Sequence, residues 1–483
     1  MLLLLLFSLT ISRATVIEGS GGAEDTVAKG ETELEQHFQF DKKRLDTVST
    51  LLLRIKQTAH KKAFGNRAFG NDAVEDAKKA VSISASQPDV PKELTPFLYE
   101  GDILLSERQA EGILQTMEGM AAKVRRKRNF ISDPEAKWSN FPIKYRLHES
   151  LVFYEISQII KAVSFWENRT CLSFERIEGL PDDDYIEFFK GQGCYSMIGR
   201  NGGRQGVSIG QNCLKMGVIE HEIGHALGLW HEQSRPDANS YIKVLSDYIL
   251  PSYISDFEQQ TTGITTLGIP YDLGSVMHYG PQAFSIDKMT TTLETKDKLY
   301  QSTIGQRESL SFYDIKTINT AYCSDKCSGS LECAHGGYPH PSRCNQCICP
   351  FGLGGKLCTE NEPARSAECG GVLSASSEWQ EFSSPGFPDP GYSQGQYCTW
   401  LVKTSPSSRI EFEFIEDFSF LCTSTCVDFV ELKIQEDLAN TGFRLCCYDM
   451  PTERFVSESS TGVVIFRGQL SADVGFKLRY RTS

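Results

Sequence analysis

The sequence lacks three features that would each indicate a different class of protein. After residue 11 it contains no apolar run of 18 or more residues, so no membrane anchor is expected. Basic residues are not in excess, because the chain carries a net charge of -13, which argues against nucleic acid as a partner and gives no sign of a polyanion ligand. Cysteine is absent before Cys171. At 483 residues, the chain is expected to form several domains rather than one core.

The N-terminus and the cysteines both indicate export. Residues 1–11 are apolar but too few to span a bilayer, and Ser12-Arg13-Ala14 resembles a signal-peptidase site, so residues 1–14 are predicted to be a signal peptide and the protein to be secreted. A buried N-terminal strand is the alternative. The sixteen cysteines lie at 171–323, 327–358 and 369–447, which predicts three modules held by disulfides.

The cysteine-free region before residue 129 is expected to be a separable, partly helical propeptide, residues 15–128. Helical periodicity is present at 43–57 and 106–124. The region ends in the basic run 125–128, which suits a secretory proprotein convertase, and cleavage after Arg128 would leave Asn129 as a new N-terminus. A solvated basic helix end is the alternative interpretation of such a charge run.

The run HEIGHALGLWHE at residues 221–232 predicts a catalytic zinc site. Residues four apart lie on one face of a helix, so His221 and His225 would present two imidazoles to one metal ion. Gly228 would end the helix and allow the chain to return His231 as the third ligand. Glu222 would then hydrogen-bond the water at the open fourth position. A structural zinc is disfavoured because the motif has no cysteine nearby to close the site.

Three further segments give structural expectations. Residues 206–210 form a short strand before the zinc motif, which we interpret as an edge strand, either ordinary or able to bind an extended peptide. Asn168 begins an N-glycosylation sequon and should face solvent. Residues 327–358 are too few to bury an adequate core without their disulfides. Apolar–polar alternation at 410–414 and 430–434, followed by strand-like runs at 463–466 and 476–480, predicts an all-β sandwich.

Four sets of residues carry a resemblance to known families. They are Glu232, Arg235, Pro236 and Asp237; residues 275–280 (Ser-Val-Met-His-Tyr-Gly); Cys349, Pro350, Gly352, Gly355 and Cys358; and residues 384–388 with Tyr392, Cys398 and Trp400. The first two sets resemble the astacin family of metzincin metalloendopeptidases. The third resembles the end of an EGF-like domain and the fourth the opening of a CUB domain.

The resemblance implies a multidomain chain. Residues 129–325 would form an α+β, two-lobed metzincin protease domain, residues 326–359 a small disulfide-rich EGF-like module, and residues 369–483 an all-β CUB sandwich. The EGF-like segment lacks the acidic residues that precede calcium-binding versions, so no calcium is expected there. In the CUB domain, Asp428 matches a calcium ligand, but Arg467 and Gly468 replace the expected Ser-Asp pair, so calcium binding is not predicted.

The resemblance also implies roles for individual residues. Met277 would form an apolar floor beneath the zinc ligands, and Tyr279 would act as an extra zinc ligand that swings away to stabilise the oxyanion, instead of being a buried phenol with a backbone partner. Glu232 would receive the α-amino group of Asn129 after processing. Residues 99–102 (Tyr-Glu-Gly-Asp) resemble the family's latency motif, with tyrosine replacing phenylalanine, and Asp102 would occupy the open zinc position of the zymogen.

Disulfide pairing follows from the same resemblance. The implied pairs are Cys171–Cys323, Cys194–Cys213, Cys327–Cys344, Cys333–Cys347, Cys349–Cys358 and Cys369–Cys398. The connectivity of Cys422, Cys426, Cys446 and Cys447 stays open.

The sequence is therefore interpreted as a secreted zinc endopeptidase, made as a zymogen, with one Zn²⁺, Glu222 as general base, and extracellular or matrix proteins as substrates. A proprotein convertase would activate it, and the EGF-like and CUB modules would bind matrix or substrate. A non-enzymatic binding protein, with the protease module as a scaffold, is the competing interpretation, although all the catalytic residues are present. An exopeptidase would need a pocket for a free terminus, of which the sequence gives no sign.

Overall fold

The computed structural model describes residues 21–65, 92–120, 130–260, 263–327, 329, 331–423, 425–470 and 473–483. The predicted signal peptide and the predicted cleavage site at Arg128 and Asn129 lie outside these residues. We refer to residues 21–120 as the N-terminal segment, to 130–323 as the central segment, to 327–358 as the cysteine-rich module, and to 369–483 as the β-sandwich.

The helices of the described residues lie in the N-terminal and central segments. They are α1 Gly21–Phe38, α2 Lys42–Phe64, α3 Glu107–Met117, α4 Phe153–Arg169, α5 Met216–Leu227 and α6 Phe312–Tyr322. The periodicity at 43–57 is confirmed as α2, which begins at the N-cap Asp41. Helix α3 begins with a capping box from Ser106 and Gln109, but it ends earlier than predicted because Gly119, at φ 73°, leaves the helical region. No periodicity signal identified α1.

The strands of the N-terminal and central segments are short. They are β1 Leu98–Tyr99, β2 Ile103–Leu104, β3 Phe130–Ile131, β4 Ile143–Leu147, β5 Phe174–Arg176, β6 Tyr185–Phe189, β7 Cys194–Met197, β8 Arg204–Ile209, β9 Ile242–Val244, β10 Ile264–Thr265 and β11 Leu293–Thr295. Seven of them form one mixed sheet in the order β1-β2-β7-β8-β6-β4-β5. The N-terminal segment therefore supplies two strands to the sheet of the central segment.

The prediction that residues 206–210 form an edge strand is wrong. Strand β8 contains most of these residues and lies inside the sheet, where it pairs parallel to β6 and antiparallel to β7. Strand β7 is the outermost strand that the central segment supplies, and β2 covers it in parallel register, with Ile103 opposite Ser196 and Leu104 opposite Met197. The error arose because the sequence between β6 and β8 gave no strand signal, so β7 was not predicted.

Helix α1 packs on the same sheet, far along the chain from the histidine motif. The His37 ring stacks on Phe189 with 3.8 Å between ring centroids, and its Nδ1 lies 2.9 Å from Glu187 Oε2. Both His37 and Glu187 are buried. Phe38 packs so closely on Gly206 that a Cβ at this glycine would lie 2.9 Å from the phenylalanine ring. The N-terminal segment is thus anchored on the central segment by an aromatic stack and a buried polar pair as well as by strand pairing.

The central segment has two lobes with the zinc motif between them. The mixed sheet with α4 and α5 forms one lobe, and the chain after His231, rich in short 3₁₀ segments and ending in α6, forms the other. Helices α4 and α5 pack on each other, with Trp166 of α4 fully buried and its Nε1 donating to Glu220 O. Among the described residues, no helix has the length and apolarity needed to cross a membrane.

The described residues after 326 form strands but no helix, and the all-β sandwich predicted for 369–483 is confirmed. The strands are β12 Tyr338–His340, β13 Arg343–Ile348, β14 Leu353–Gly354, β15 Glu360–Asn361, β16 Gly371–Ser374, β17 Gln380–Ser383, β18 Tyr397–Lys403, β19 Ile410–Ser419, β20 Phe429–Lys433, β21 Phe443–Leu445, β22 Phe455–Val456, β23 Thr461–Arg467 and β24 Gly475–Thr482. A five-stranded sheet (β16-β18-β23-β20-β21) and a four-stranded sheet (β17-β24-β19-β22) form the β-sandwich, and Trp400 of β18 contacts Phe476 of β24 between them.

All sixteen cysteines are paired. The bonds are Cys171–Cys323, Cys194–Cys213, Cys327–Cys344, Cys333–Cys347, Cys349–Cys358, Cys369–Cys398, Cys422–Cys447 and Cys426–Cys446. The first six are the pairs that the family resemblance implies, and the last two supply the connectivity that the sequence left open. Cys171–Cys323 joins α4 to the end of α6 and so links the two lobes.

Candidate metal centre and active site

Helix α5 carries the first half of the histidine motif and ends where the motif requires. Its last residue is Leu227, and Gly228 follows at φ 110°, with its N–H directed to the carbonyls of Gly224 and His225. A Cβ at Gly228 would lie 2.7 Å from Ile131 Cγ2, so both the backbone conformation and the packing require glycine. The chain then turns back and brings His231 towards the helix.

The three histidine rings converge on one buried point. The ring centroids of His221 and His225 are 4.5 Å apart, and those of His225 and His231 are 4.8 Å apart. His221 Nδ1 lies 2.9 Å from Val276 O, and His225 Nδ1 lies 2.8 Å from Leu229 O. Because a carbonyl accepts, Nδ1 of each ring donates, and the Nε2 lone pair is free to bind a metal ion.

Asp102 of the N-terminal segment completes the cluster. Its Oδ2 lies 3.2 Å from Nε2 of both His221 and His231, and its Oδ1 lies 3.7 Å from Nε2 of His225. One ligand atom from each of the four buried residues falls within 4.8 Å of the others. Asp102 Oδ1 and His225 Nε2 are buried without a hydrogen-bond partner. Three imidazole nitrogens and one carboxylate oxygen, two of these residues having a buried ligand atom without a hydrogen-bond partner, fit a four-coordinate zinc ion.

Glu100 belongs to the predicted latency motif at 99–102, but the sequence analysis assigned no role to its side chain. Its fully buried carboxylate accepts from His231 Nδ1 at 2.7 Å and from Ser234 Oγ at 2.8 Å. A carboxylate behind a metal-binding histidine fixes the ring and strengthens it as a ligand. Asp102 and Glu100 together raise the pKa of His231 to about 9, against the effect of burial. The sequence shows Glu100 two residues before Asp102, but it does not show that this carboxylate contacts His231.

Glu222 lies beside the cluster with its carboxylate buried. The residue is 1% exposed, and its Oε2 has no hydrogen-bond partner in the described structure. Burial and the Asp102 carboxylate raise the pKa of Glu222 well above its ordinary value. A carboxyl group whose pKa is raised, next to three imidazoles, is suited to accept and return a proton.

Met277 and Tyr279 lie on the loop that faces α5. A Cβ at Gly224 would lie 3.3 Å from Met277 Sδ, so the methionine packs directly against the helix that carries the histidines. The Tyr279 hydroxyl donates to the backbone carbonyl of Glu100 at 2.5 Å, and the Tyr279 ring lies 4.8 Å from the His231 ring. The phenol is therefore close to the cluster while its hydroxyl is bound to the N-terminal segment.

The remaining predicted site residues are not members of the metal-binding cluster. Glu232 is buried and accepts from Arg235 Nη1 at 3.1 Å and from the Asp272 N–H at 2.8 Å, whereas its predicted partner Asn129 is outside the described residues. Asn168 is exposed at the end of α4, as a glycosylation site requires. Asp428 is fully buried and accepts from the Tyr392 hydroxyl and from the backbone of the 469–470 turn.

Comparisons with known proteins agree with this geometry. Residues 130–323 match the model of the astacin peptidase family, and residues 369–480 match the CUB domain. Zinc metalloproteinase nas-36 of Caenorhabditis briggsae is 61% identical over 452 residues, which cover 93% of this chain and 73% of that protein. Zinc metalloproteinase nas-36 of Haemonchus contortus is 61% identical over 460 residues, which cover 94% and 75%.

A solved structure gives a further comparison. High choriolytic enzyme 1, a hatching enzyme zinc-protease from the medaka fish Oryzias latipes, is 33% identical, and the match covers 40% of this chain and 98% of that chain with a TM-score of 0.38.

Replacement of Gly228 by alanine tests whether the helix end depends on glycine. A left-handed backbone costs another residue about 1–3 kcal/mol, and the Cβ would also clash with Ile131, so Gly228→Ala should lower the melting temperature by about 3–10 °C in differential scanning calorimetry. Gly112→Ala is the matched control, because it lies inside α3 with open space around it and should leave the melting temperature unchanged or higher. Equal effects of the two substitutions would refute the requirement at Gly228.

Proposed function

Because the chain belongs to the astacin family of zinc metalloendopeptidases, we propose that it is made as a secreted zymogen whose N-terminal segment is a propeptide that blocks the zinc site. The observation that carries the proposal is the Asp102 carboxylate, buried between the three histidines within hydrogen-bond distance of two of them. A carboxylate there takes the coordination position that catalytic zinc must keep open for water. The intact histidine set disfavours a purely adhesive role.

Processing would remove this block. In the proposal, residues 1–14 are a signal peptide, a proprotein convertase cleaves after Arg128, and residues 15–128 then leave, taking Asp102 and Glu100 with them. Asn129 becomes the new N-terminus and its α-amino group reaches Glu232. This proposal is supported by strand β3, which begins at the next residue, Phe130, and by the hydrogen bond from Ile131 N to Gly228 O, which ties this part of the chain to the end of the zinc helix.

The released site would hold an extended peptide along β7. In the precursor, β2 pairs with this strand, and Ser196 N donates to Asp102 O at 3.0 Å. Departure of β2 leaves the N–H and C=O groups of β7 free to pair with a substrate by strand addition. Internal peptide bonds, rather than chain ends, are the expected substrates, because strand addition pairs main-chain groups and does not need a free terminus.

Proton transfer is assigned to the side chains around the cluster. His221, His225 and His231 would hold the zinc ion, which would supply the Lewis acidity that makes water a nucleophile at neutral pH. Glu222 accepts the proton of the attacking water and delivers it to the departing amine. Tyr279, whose hydroxyl loses the carbonyl of Glu100 when the propeptide leaves, donates a hydrogen bond to the oxyanion.

The accessory modules are assigned to recognition. Residues 326–359 are proposed to be an EGF-like domain and residues 369–483 a CUB domain that bind matrix or substrate outside the catalytic cleft. Extracellular proteins are the proposed substrates. The eight disulfides support this location, since such bonds persist in an oxidising compartment.

Glu222→Gln tests the general base. The amide keeps the size of the side chain but cannot accept the proton, so turnover of a denatured protein substrate by the processed enzyme should fall about 10²- to 10⁴-fold while zinc content stays at one per chain. Glu220→Gln is the matched control on the same helix, because the Glu220 carboxylate accepts from Ser309 and Leu310 and an amide oxygen can do the same. Near-normal cleavage by Glu222→Gln would contradict the assignment.

Asp102→Asn tests latency. In an Arg128→Ala background, which prevents release of the propeptide, the intact chain should be nearly inactive, whereas Asp102→Asn should gain peptide hydrolysis because a neutral amide is a weaker zinc ligand than a carboxylate. Glu111→Gln, an exposed acid of α3, is the control and should remain inactive. An Asp102→Asn precursor as silent as the control would argue against blockade by this carboxylate.

Glu100→Gln tests the contribution of the second carboxylate. Loss of its charge weakens the hydrogen bond from His231. The zinc affinity of the Glu100→Gln precursor, measured by competition with a chelating dye, should therefore be about 10-fold or more below that of the unmodified precursor. The Glu111→Gln precursor serves again as the control. Equal zinc affinity in all three precursors would show that Glu100 has no role in holding the metal.

A further inference from the structure

A second cavity lies where the central segment, the cysteine-rich module and the β-sandwich meet. Its volume is about 710 Å³, and none of the three histidines lines it. Its walls come from the end of α4, the start of α5, the turn before α6, Phe351 and strands β20 and β23. A volume of this size is within the usual range for small-molecule sites.

The charge of this cavity is opposite to that of the whole chain. Eight of its described lining residues are lysine or arginine and three are glutamate, whereas the chain carries a net charge of -13. The positive residues come from separate stretches of sequence between residues 161 and 467. Because they meet only in the folded chain, composition gives no indication of the cluster.

Some of these cations already have a carboxylate partner. Arg444 Nε lies 3.0 Å from Glu431 Oε2, and Arg467 Nη2 lies 3.2 Å from Glu308 Oε2. The Arg444 Nη1 atom, however, is buried and has no hydrogen-bond partner in the described structure. The carboxylates therefore do not use all the donors of the guanidinium groups.

Two further cations in the cavity wall form no ion pair with a described residue. Lys433 is 2% exposed, and its Nζ donates to the carbonyl of Phe351 at 3.1 Å. The Arg169 guanidinium lies 5.0 Å from the ring of Phe165 and 5.6 Å from that of Phe351. Burial lowers the pKa of both Lys433 and Arg169. Lys433 is buried and Arg169 is partly buried, and neither has a carboxylate within ion-pair distance among the described residues. Glu431 attracts Lys433 and Glu362 attracts Arg169 from farther away, so the desolvation of the two cations is only partly offset.

We propose that this cavity binds a compact anion that carries sulfate or phosphate groups and is about the size of a disaccharide. Guanidinium groups donate two parallel hydrogen bonds to a tetrahedral oxyanion, and the Lys433 ammonium adds a point charge. An anion in this position would contact residues of the central segment and of the β-sandwich together. It would therefore stabilise the junction of these modules, which the Arg467–Glu308 ion pair already joins.

Isothermal titration calorimetry on the full-length chain tests the site with two probes, a fully sulfated heparin disaccharide and pyrophosphate, which distinguish a sulfated sugar from a phosphate ligand. At least one probe should bind with a Kd below about 1 mM and raise the melting temperature. Lys433→Met and Arg169→Gln should each weaken that binding about 10-fold or more, because each removes a hydrogen bond from a charged group to the anion.

Lys298→Gln is the matched control, because this lysine is exposed and lies outside the cavity. It should bind the probe as the unmodified chain does. Zinc content and hydrolytic activity after processing should be normal in all three variants, which separates loss of the anion from misfolding and from failure of the protease assignment. Absence of binding by both probes, or equal binding by folded Lys433→Met, Arg169→Gln and Lys298→Gln, would overturn the proposal.

Discussion

Three imidazoles and one carboxylate from a distant part of the chain meet at a point from which solvent is excluded, and the surrounding structure serves to hold them there. Helix α5 sets the separation of His221 and His225, and the left-handed Gly228 permits the return that places His231. Nδ1 of each ring is engaged by an oxygen, so the Nε2 atoms face inwards. Neither the latency nor the chemistry proposed here is possible unless these four side chains stay in this arrangement.

The N-terminal segment is built into the central segment rather than laid over it. It extends the mixed sheet by two strands, places Asp102 in the turn between them, and uses Glu100 to hold His231 through its Nδ1. Tyr279 is held by the backbone of the same turn. In the proposed zymogen, residues 98–104 thus make three contacts. They hold the His231 ring, occupy the open coordination position and bind the hydroxyl of the side chain proposed to stabilise the oxyanion.

The sequence predicted those features that depend on residues close together in the chain. The spacing within 221–231 predicted that His221, His225 and His231 meet at one point and that α5 ends at Gly228, and apolar–polar alternation predicted the β-sandwich. Features that depend on contacts between distant parts of the chain were not predicted correctly. The prediction of an edge strand at β8 was wrong because the sequence of β7 shows no strand pattern. The contact of Glu100 with His231 was not predicted because it joins residues 131 positions apart. The positively charged cavity was not predicted either, because its lysines and arginines come from separate stretches of an acidic chain and meet only after folding.

The anchoring of α1 has a consequence for the timing of activation. His37 stacks on Phe189 and its Nδ1 lies within hydrogen-bond distance of Glu187, and Phe38 packs on Gly206. Severing one peptide bond leaves these non-covalent contacts in place. The cut fragment would therefore persist as a tight, dissociable inhibitor, and the delay between cleavage and full activity would be governed by its off-rate and by dilution in the extracellular space.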